Sequence, residues 1–111
     1  MSKRFPELYL QDIKESIKKI EGYTVGLDFD KFSKDYKTID AVVRNLEIIG
    51  EAVKNLPEEI KLKYTDIPWG EVIGMRNKAT HEYWGVDEEI LWETIKEDLP
   101  TFMKQIERLN V

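Results

Sequence analysis

Four residues in "RNKATHEYWGVD" carry side chains able to do chemistry on a phosphodiester: Arg76, Asn77, His81 and Tyr83. Arginine is cationic at every working pH and can fork two donors onto a phosphate. Histidine, with an unperturbed pKa of about 6.5, takes up and releases protons near neutrality. Together they suit cleavage of RNA without a metal. The 2′-hydroxyl of the RNA would attack the adjacent phosphorus, His81 would move a proton, and Arg76 would stabilise the charge gathering on the phosphoryl oxygens. A plainer account of the same residues exists. Arg76 would then pair with a carboxylate on a neighbouring helix, and His81, the only histidine of the chain, would be a polar cap near a helix end.

The segment containing these residues reads as a helix, "IPWGEVIGMRNKATHEY", with Pro68 in its first turn. At about 100° per residue, Trp69, Val72 and Ile73 share one arc, which Arg76, Thr80 and Tyr83 continue. The apolar stripe thus turns polar where packing is expected, and buried polar groups cost several kcal/mol, roughly, unless something compensates them. On the same wheel Asn77 and His81 are vertical neighbours. Arg76 and His81 point roughly 140° apart, so two copies facing each other across a two-fold axis bring them together more easily than one.

Three other elements must position this segment. "PELYLQDIKESIKKIEGYT" places Leu10, Ile13, Ile17 and Ile20 at helical spacing, with Gly22 suited to the stop. A loop or short helical turn follows. A long helix from about Lys34 to Leu56 then carries Ile39, Val42, Val43, Leu46, Ile49, Val53 and Leu56 on one stripe. Gly50 lies on that stripe, where another helix can approach closely. Asp40, Arg44, Glu47 and Glu51 form a charged arc roughly opposite the stripe, by default a solvated face. Ile48 beside them is suited to a subunit interface, from which Glu47 or Asp40 would orient Arg76 or His81. "PEEIKLKY" makes a short connector helix, and Asp87 caps a last helix that Pro100 should kink. Trp69, Trp84 and Trp92 could stack on bases, but no interleaved basic residues surround them, so packing is the expectation. No strand patterning is present, so the expected fold is an all-α bundle of four main helices plus short connectors, one domain over residues 1–111.

The 111 residues comprise 41% hydrophobic and 35% charged residues, the balance of a compact globular chain, with room for a core but not for a large enclosed site. Lys+Arg 17 against Asp+Glu 22 gives a net charge of -5, which excludes a global basic field and leaves nucleic acid only a local cationic contact. There is no cysteine, hence neither disulfide nor thiolate zinc site, and neither metal nor cofactor is expected. The absence of a long apolar run and of a signal-like start predicts a cytoplasmic protein with no membrane contact.

Arg76, four residues, His81, one residue and Tyr83 match the Arg-x4-His-x-Tyr motif, and the chain resembles the HEPN superfamily, specifically the HepT-like toxins of MntA/HepT toxin–antitoxin pairs. The likeness extends over "DAVVRNLEIIGEAVKNLP", "IPWGEVIGMRNKATHEYWGVD" and "LWETIKEDLP", nearly the whole chain in helix order. The resemblance implies an α-helical homodimer acting as a metal-independent endoribonuclease, with Arg76 and His81 catalytic in a cleft between subunits. Asn77 fits as the small polar residue after the arginine; Thr80, from its place on the arc, and Glu47 or Asp40, from the second helix, are supporting candidates on the residues alone. It further implies a nucleotidyltransferase antitoxin as partner, which adds AMP to the motif tyrosine, here Tyr83. By its residues alone, Tyr83 is equally a packing aromatic. Two other functions stay open: a non-catalytic dimer that binds a nucleotide or partner, and a purely structural dimerisation domain.

Overall fold

In a computed structural model, residues 5–81 and 85–109 are described. Helix α1 (Pro6–Thr24) opens with Pro6 at a first-turn position and buries Leu10, Ile13, Ile17 and Ile20. It runs two residues past Gly22, and the turn is made instead by Gly26, whose φ of 78° suits a residue without a side chain. Asp28 then caps the short helix α2 (Phe29–Lys34) by accepting the amide of Lys31. The turn or short helix expected here is thus a helix, with Phe32 buried at its core side.

The long helix α3 (Tyr36–Asn55) begins behind Asp35, whose carboxylate accepts the Thr38 hydroxyl at 2.7 Å and the Thr38 amide at 3.1 Å. The hydroxyl bond first, and the amide bond second, hold the Asp35 carboxyl below the usual carboxylate range. The expected stripe is the buried one: Ile39, Val42, Leu46, Ile49 and Val53 are at most 3% exposed. Each contributes on the order of 1.5–3 kcal/mol by leaving water. Helices α1 and α3 make the main packing pair, and α5 (Trp69–Ala79) lies along the other flank of α3. Between them, α4 (Glu58–Lys63) is the short connector that follows Pro57.

At Gly50, α3 and α5 approach closely. A Cβ at that position would stand 3.3 Å from the carbonyl oxygen of Ile73, which bears out the close approach read from the stripe.

Helix α5 departs from the expected helix in two ways. Its buried residues are Trp69, Val72, Met75 and Ala79, so the stripe drifts toward Met75 rather than Arg76. It also stops at Ala79. Thr80 is extended (φ -125°, ψ 149°), and with His81 forms β1 (Thr80–His81), paired antiparallel to β2 (Gly85–Val86), with Thr80 opposite Val86 and His81 opposite Gly85. The cause is local. The Thr80 hydroxyl donates to the Arg76 carbonyl at 2.9 Å, the Asp87 amide donates to the Ala79 carbonyl at 2.8 Å, and Gly85 supplies a φ of 80°. The helical wheel therefore fails beyond Ala79, and His81 is not a vertical neighbour of Asn77.

Asp87 caps α6 (Glu88–Glu93) through the Ile90 amide at 3.1 Å. The chain stays helical through a π-helical segment, Thr94–Asp98, into α7 (Leu99–Glu107). Pro100 lacks an amide and its ring crowds the carbonyl four residues back, and the wider π turn immediately ahead of it accommodates that ring. The kink expected at Pro100 takes this form. With α1, α3 and α5, this last helix completes the all-α bundle, and among the described residues the only strands are the two-residue pair.

Trp69 and Trp92 pack. Trp69 is buried, donates its indole N–H to the Tyr64 carbonyl at 3.1 Å and meets Phe102 edge-on. Trp92 lies 4.9 Å from the Phe32 ring, and the Lys96 ammonium stands 4.5 Å over the Trp92 ring. Among the described residues no helix is long and apolar enough to cross a membrane.

Candidate active site

Arg76 is the last-turn arginine of α5 and lies on the flank that faces α3, half-buried. Its Nε stands 3.2 Å from Oε1 of Glu47, the side chains being 43% and 37% exposed. That nitrogen is shut off from solvent, and its N–H is not aimed well enough at any acceptor for a hydrogen bond. The attraction is therefore coulombic, worth about 1 kcal/mol or less at this exposure. A pair of this size can orient the guanidinium but adds little to the stability of the fold. The far oxygen of the same carboxylate, Oε2, is 3.3 Å from Nη1 of Arg44, so one carboxylate stands between two guanidinium groups.

Asn77 completes the clamp. Its Oδ1 accepts from Nη1 of Arg76 at 3.0 Å, and Thr80 holds the arginine's own carbonyl. Arg76 is thus fixed along its Nε edge and at one terminal nitrogen, leaving the rest of the guanidinium for an incoming anion. It opens on a groove of about 500 Å³ whose floor is the outer face of α3. Tyr9 and Asp12 of α1 form one wall, and Ile73, Arg76 and Asn77 of α5 the other.

His81 lies elsewhere. It is exposed on β1 and lines a separate depression with Phe29, Ser33, Val86, Asp87, Glu88 and Glu89. Within one protomer the arginine and the imidazole therefore do not share a groove. Asp40 is exposed on α3 and does not line the groove around Glu47. Tyr83 and Trp84 lie outside the described residues.

The structure thus gathers Glu47, Arg76 and Asn77, with Thr80 attached through the backbone, and leaves His81 and Asp40 apart. The pair of Arg44 with Glu47 is one of the opposite-charge pairs for which the charged arc of α3 is spaced. One feature is not evident from the sequence, the acidic surroundings of His81, signalled by the run Asp87, Glu88, Glu89 only once the helix end at Thr80 is known. Among the described residues, no three His, Asp or Glu side chains are grouped to hold a metal ion.

The guanidinium at a groove can grip a phosphate, and the imidazole can exchange a proton with a substrate; chemistry that needs both must bring the two depressions together. Comparison with known proteins bears on which chemistry that is. The family described as Ribonuclease HepT-like matches residues 13–109. A protein of Thermococcus cleftensis named "Probable ribonuclease HepT" is 48% identical over 97% of this chain and 98% of its own length. "Putative RNase MJ0127" of Methanocaldococcus jannaschii is 43% identical over 98% of this chain and 90% of its own. "Putative RNase TTE0752" of Caldanaerobacter subterraneus is 44% identical over 94% and 93%. No solved structure matches. With the family matched across all the helices from α2 onward and most of α1, and with relatives aligned nearly end to end, the chain belongs to the HepT-like ribonuclease family.

Proposed function

We propose that this protein is an endoribonuclease toxin of a toxin–antitoxin pair, cleaving RNA without a metal in a cleft shared by two copies of the chain. The observation that carries the reading is Arg76: a guanidinium clamped by Glu47 and Asn77 at the edge of an open groove, in a chain whose relatives bear ribonuclease names. His81 takes the proton from the RNA 2′-hydroxyl, whose oxygen attacks the adjacent phosphorus. The 5′-oxygen of the next nucleotide leaves with a proton returned by an imidazolium, and the products end in a 2′,3′-cyclic phosphate and a 5′-hydroxyl. Arg76 meets the charge that builds on the phosphoryl oxygens. Asn77, Thr80 and Glu47 position Arg76, and Asp40, which lies away from the groove, has no part in it.

The reading calls for a dimer, in which a second copy presents its His81 to the Arg76 groove of the first. Digestion of RNA by wild type and His81→Ala tests the chemistry. We expect cleavage by the wild type, a loss of about 10²-fold or more in the variant, and the same helical signal for both. Equal cleavage by the two proteins would remove His81 from the reaction.

Control of the toxin falls to a nucleotidyltransferase antitoxin that adds AMP to Tyr83, since a bulky anion two residues from His81 blocks and repels the RNA backbone. Co-expression with such an enzyme, followed by mass spectrometry, should show an AMP-sized addition on Tyr83. An unmodified Tyr83 under those conditions would sink the regulatory part. The rival reading, a non-catalytic dimer that binds a nucleotide or the partner, is favoured by the distance His81 keeps from Arg76 within one protomer. It expects no RNA cleavage at all.

A further inference from the structure

His81 stands in the wall of a depression of about 630 Å³, lined also by Phe29 and Ser33 of α2, Val86 of β2 and Asp87, Glu88 and Glu89 at the start of α6. Phe29 and Val86, both half-buried, give it an apolar side. Apart from the imidazole, its polar side chains can only accept hydrogen bonds. The Ser33 hydroxyl already donates its hydrogen to the Asp30 carbonyl at 3.0 Å, and ionised carboxylates have none to give. One oxygen of Asp87 is occupied by the Ile90 amide. Glu88 is half-buried and Glu89 exposed, and neither has an ion pair among the described residues. No lysine or arginine among the described residues lines the depression.

A lining of this kind repels a phosphate and favours a flat, uncharged group that offers donors side by side. In an RNA strand the flat, uncharged groups are the bases, which unstacked single strands present to proteins by their faces and their Watson–Crick edges. Guanine alone places two donors next to each other on that edge, N1–H and the N2 amino group, a match for the two oxygens of one carboxylate. In adenine and cytosine the amino group adjoins a ring-nitrogen acceptor, which a carboxylate repels. Uracil has a single N–H between two carbonyls.

We infer that the His81 depression is a guanine-binding subsite, in which the Glu88 carboxylate accepts N1–H and the N2 amino group while Phe29 packs against the base. Asp87 is excluded from that role by its cap bond to Ile90, and half-buried Glu88 meets less competition from water than exposed Glu89. The inference deepens the proposed function and rests on it for the position of the cut. His81 takes the proton from a 2′-hydroxyl, so the base beside it belongs to the nucleotide that carries that hydroxyl, and cleavage falls directly after guanosine. The carboxylates meanwhile turn the phosphate outward, to where the Arg76 groove of the other copy can receive it.

The single histidine of the chain provides the readout, because its imidazole C–H protons are the only ones of their kind in the NMR spectrum. Dinucleotides whose first sugar lacks the 2′-hydroxyl bind without being cut. Deoxyguanosine followed by uridine should shift the His81 signals, deoxyinosine, which lacks the N2 amino group, should bind at least about tenfold more weakly, and deoxyadenosine should bind more weakly still. Glu88→Gln, which cannot accept two hydrogen bonds at once, should lose the preference for guanine with an unchanged melting temperature, whereas Glu71→Gln, in a different groove beside Pro68, should keep it. Strands with one ribonucleotide in a deoxy background should be cut at least about tenfold faster after guanosine than after adenosine, cytidine or uridine, as kcat/KM, and Glu88→Gln should level the four. Equal binding of deoxyguanosine and deoxyadenosine, His81 signals that stay in place, or a Glu88→Gln that keeps the preference would each overturn the subsite. Cleavage with no preference for any base would remove the subsite and leave the nuclease reading standing. Guanine-selective binding without cleavage of any RNA would do the reverse.

Discussion

Arg76→Ala is expected to lower kcat for RNA cleavage by about 10²–10³-fold while leaving the bundle folded. The side chain is 43% exposed and its pair with Glu47 contributes little to stability, so the loss falls on the transition state. Arg76→Lys separates charge from shape. An ammonium retains the charge but cannot keep the Nε edge on Glu47 while a terminal nitrogen donates to Asn77, so Lys should recover only part of the rate. Glu47→Gln, which keeps the volume and removes the carboxylate, should cost about tenfold in kcat with a smaller change in KM, as befits a residue that aims another. The measurement is steady-state cleavage of a short single-stranded RNA beside a thermal melt. Full activity in Arg76→Ala would place the anion grip elsewhere and end the reading of the groove as the reacting site.

Gly50→Leu should damage stability and site together. Any Cβ at position 50 comes within 3.3 Å of the Ile73 carbonyl oxygen, a backbone atom that cannot swing away as a side chain can. A leucine must push α5 off α3, at a cost of about 1–3 kcal/mol and a fall in Tm of about 5–15 °C. The same displacement carries Arg76 away from Glu47, one turn along the shared contact, so cleavage should decline below the melting range as well. Gly50→Ala is the control. Its helix propensity gains about 1 kcal/mol against a few tenths of an ångström of adjustment, and the two nearly cancel. A Leu variant as stable as wild type would mean that the helices are not in contact at this point.

The parts of the fold that could be read from the chain are those where one helical period runs unbroken between clear end signals. The stripe of α3 from Ile39 to Val53 is one, and the glycine within it correctly marked the crossing with α5. The all-α bundle followed from such stripes. What could not be read depends on competition among local hydrogen bonds. Thr80 is compatible with a helix interior, and only the pairing of its segment with Gly85–Val86 and the capture of the Arg76 carbonyl by its hydroxyl stop α5 there. The spacing of Arg76 and His81 was legible, but their directions were not, because a helical wheel assumes a helix throughout. Likewise Met75 rather than Arg76 faces the core, because the turn of α5 toward the bundle depends on its contact with α3, close at Gly50, which a single helix's pattern does not contain. Glu47 was legible as a neighbour of the site because it lies on a regular helix at a regular interval.

The end of α5 at Ala79 divides the motif mechanically. The backbone of Arg76 inherits the stiffness of two packed helices, while its guanidinium is held by the part-exposed pair with Glu47 and the bond to Asn77. His81 rides on a ribbon two residues long on each side, tied to the bundle through the Ala79 carbonyl and the Asp87 amide, where each hydrogen bond is worth about 1 kcal/mol. Anything that docks on that ribbon can re-aim the imidazole cheaply. In the proposed reaction the helix that carries the anion grip is therefore set when the chain folds, whereas the segment that carries the proton relay stays adjustable afterwards, and that is the half on which an inhibitor would have leverage.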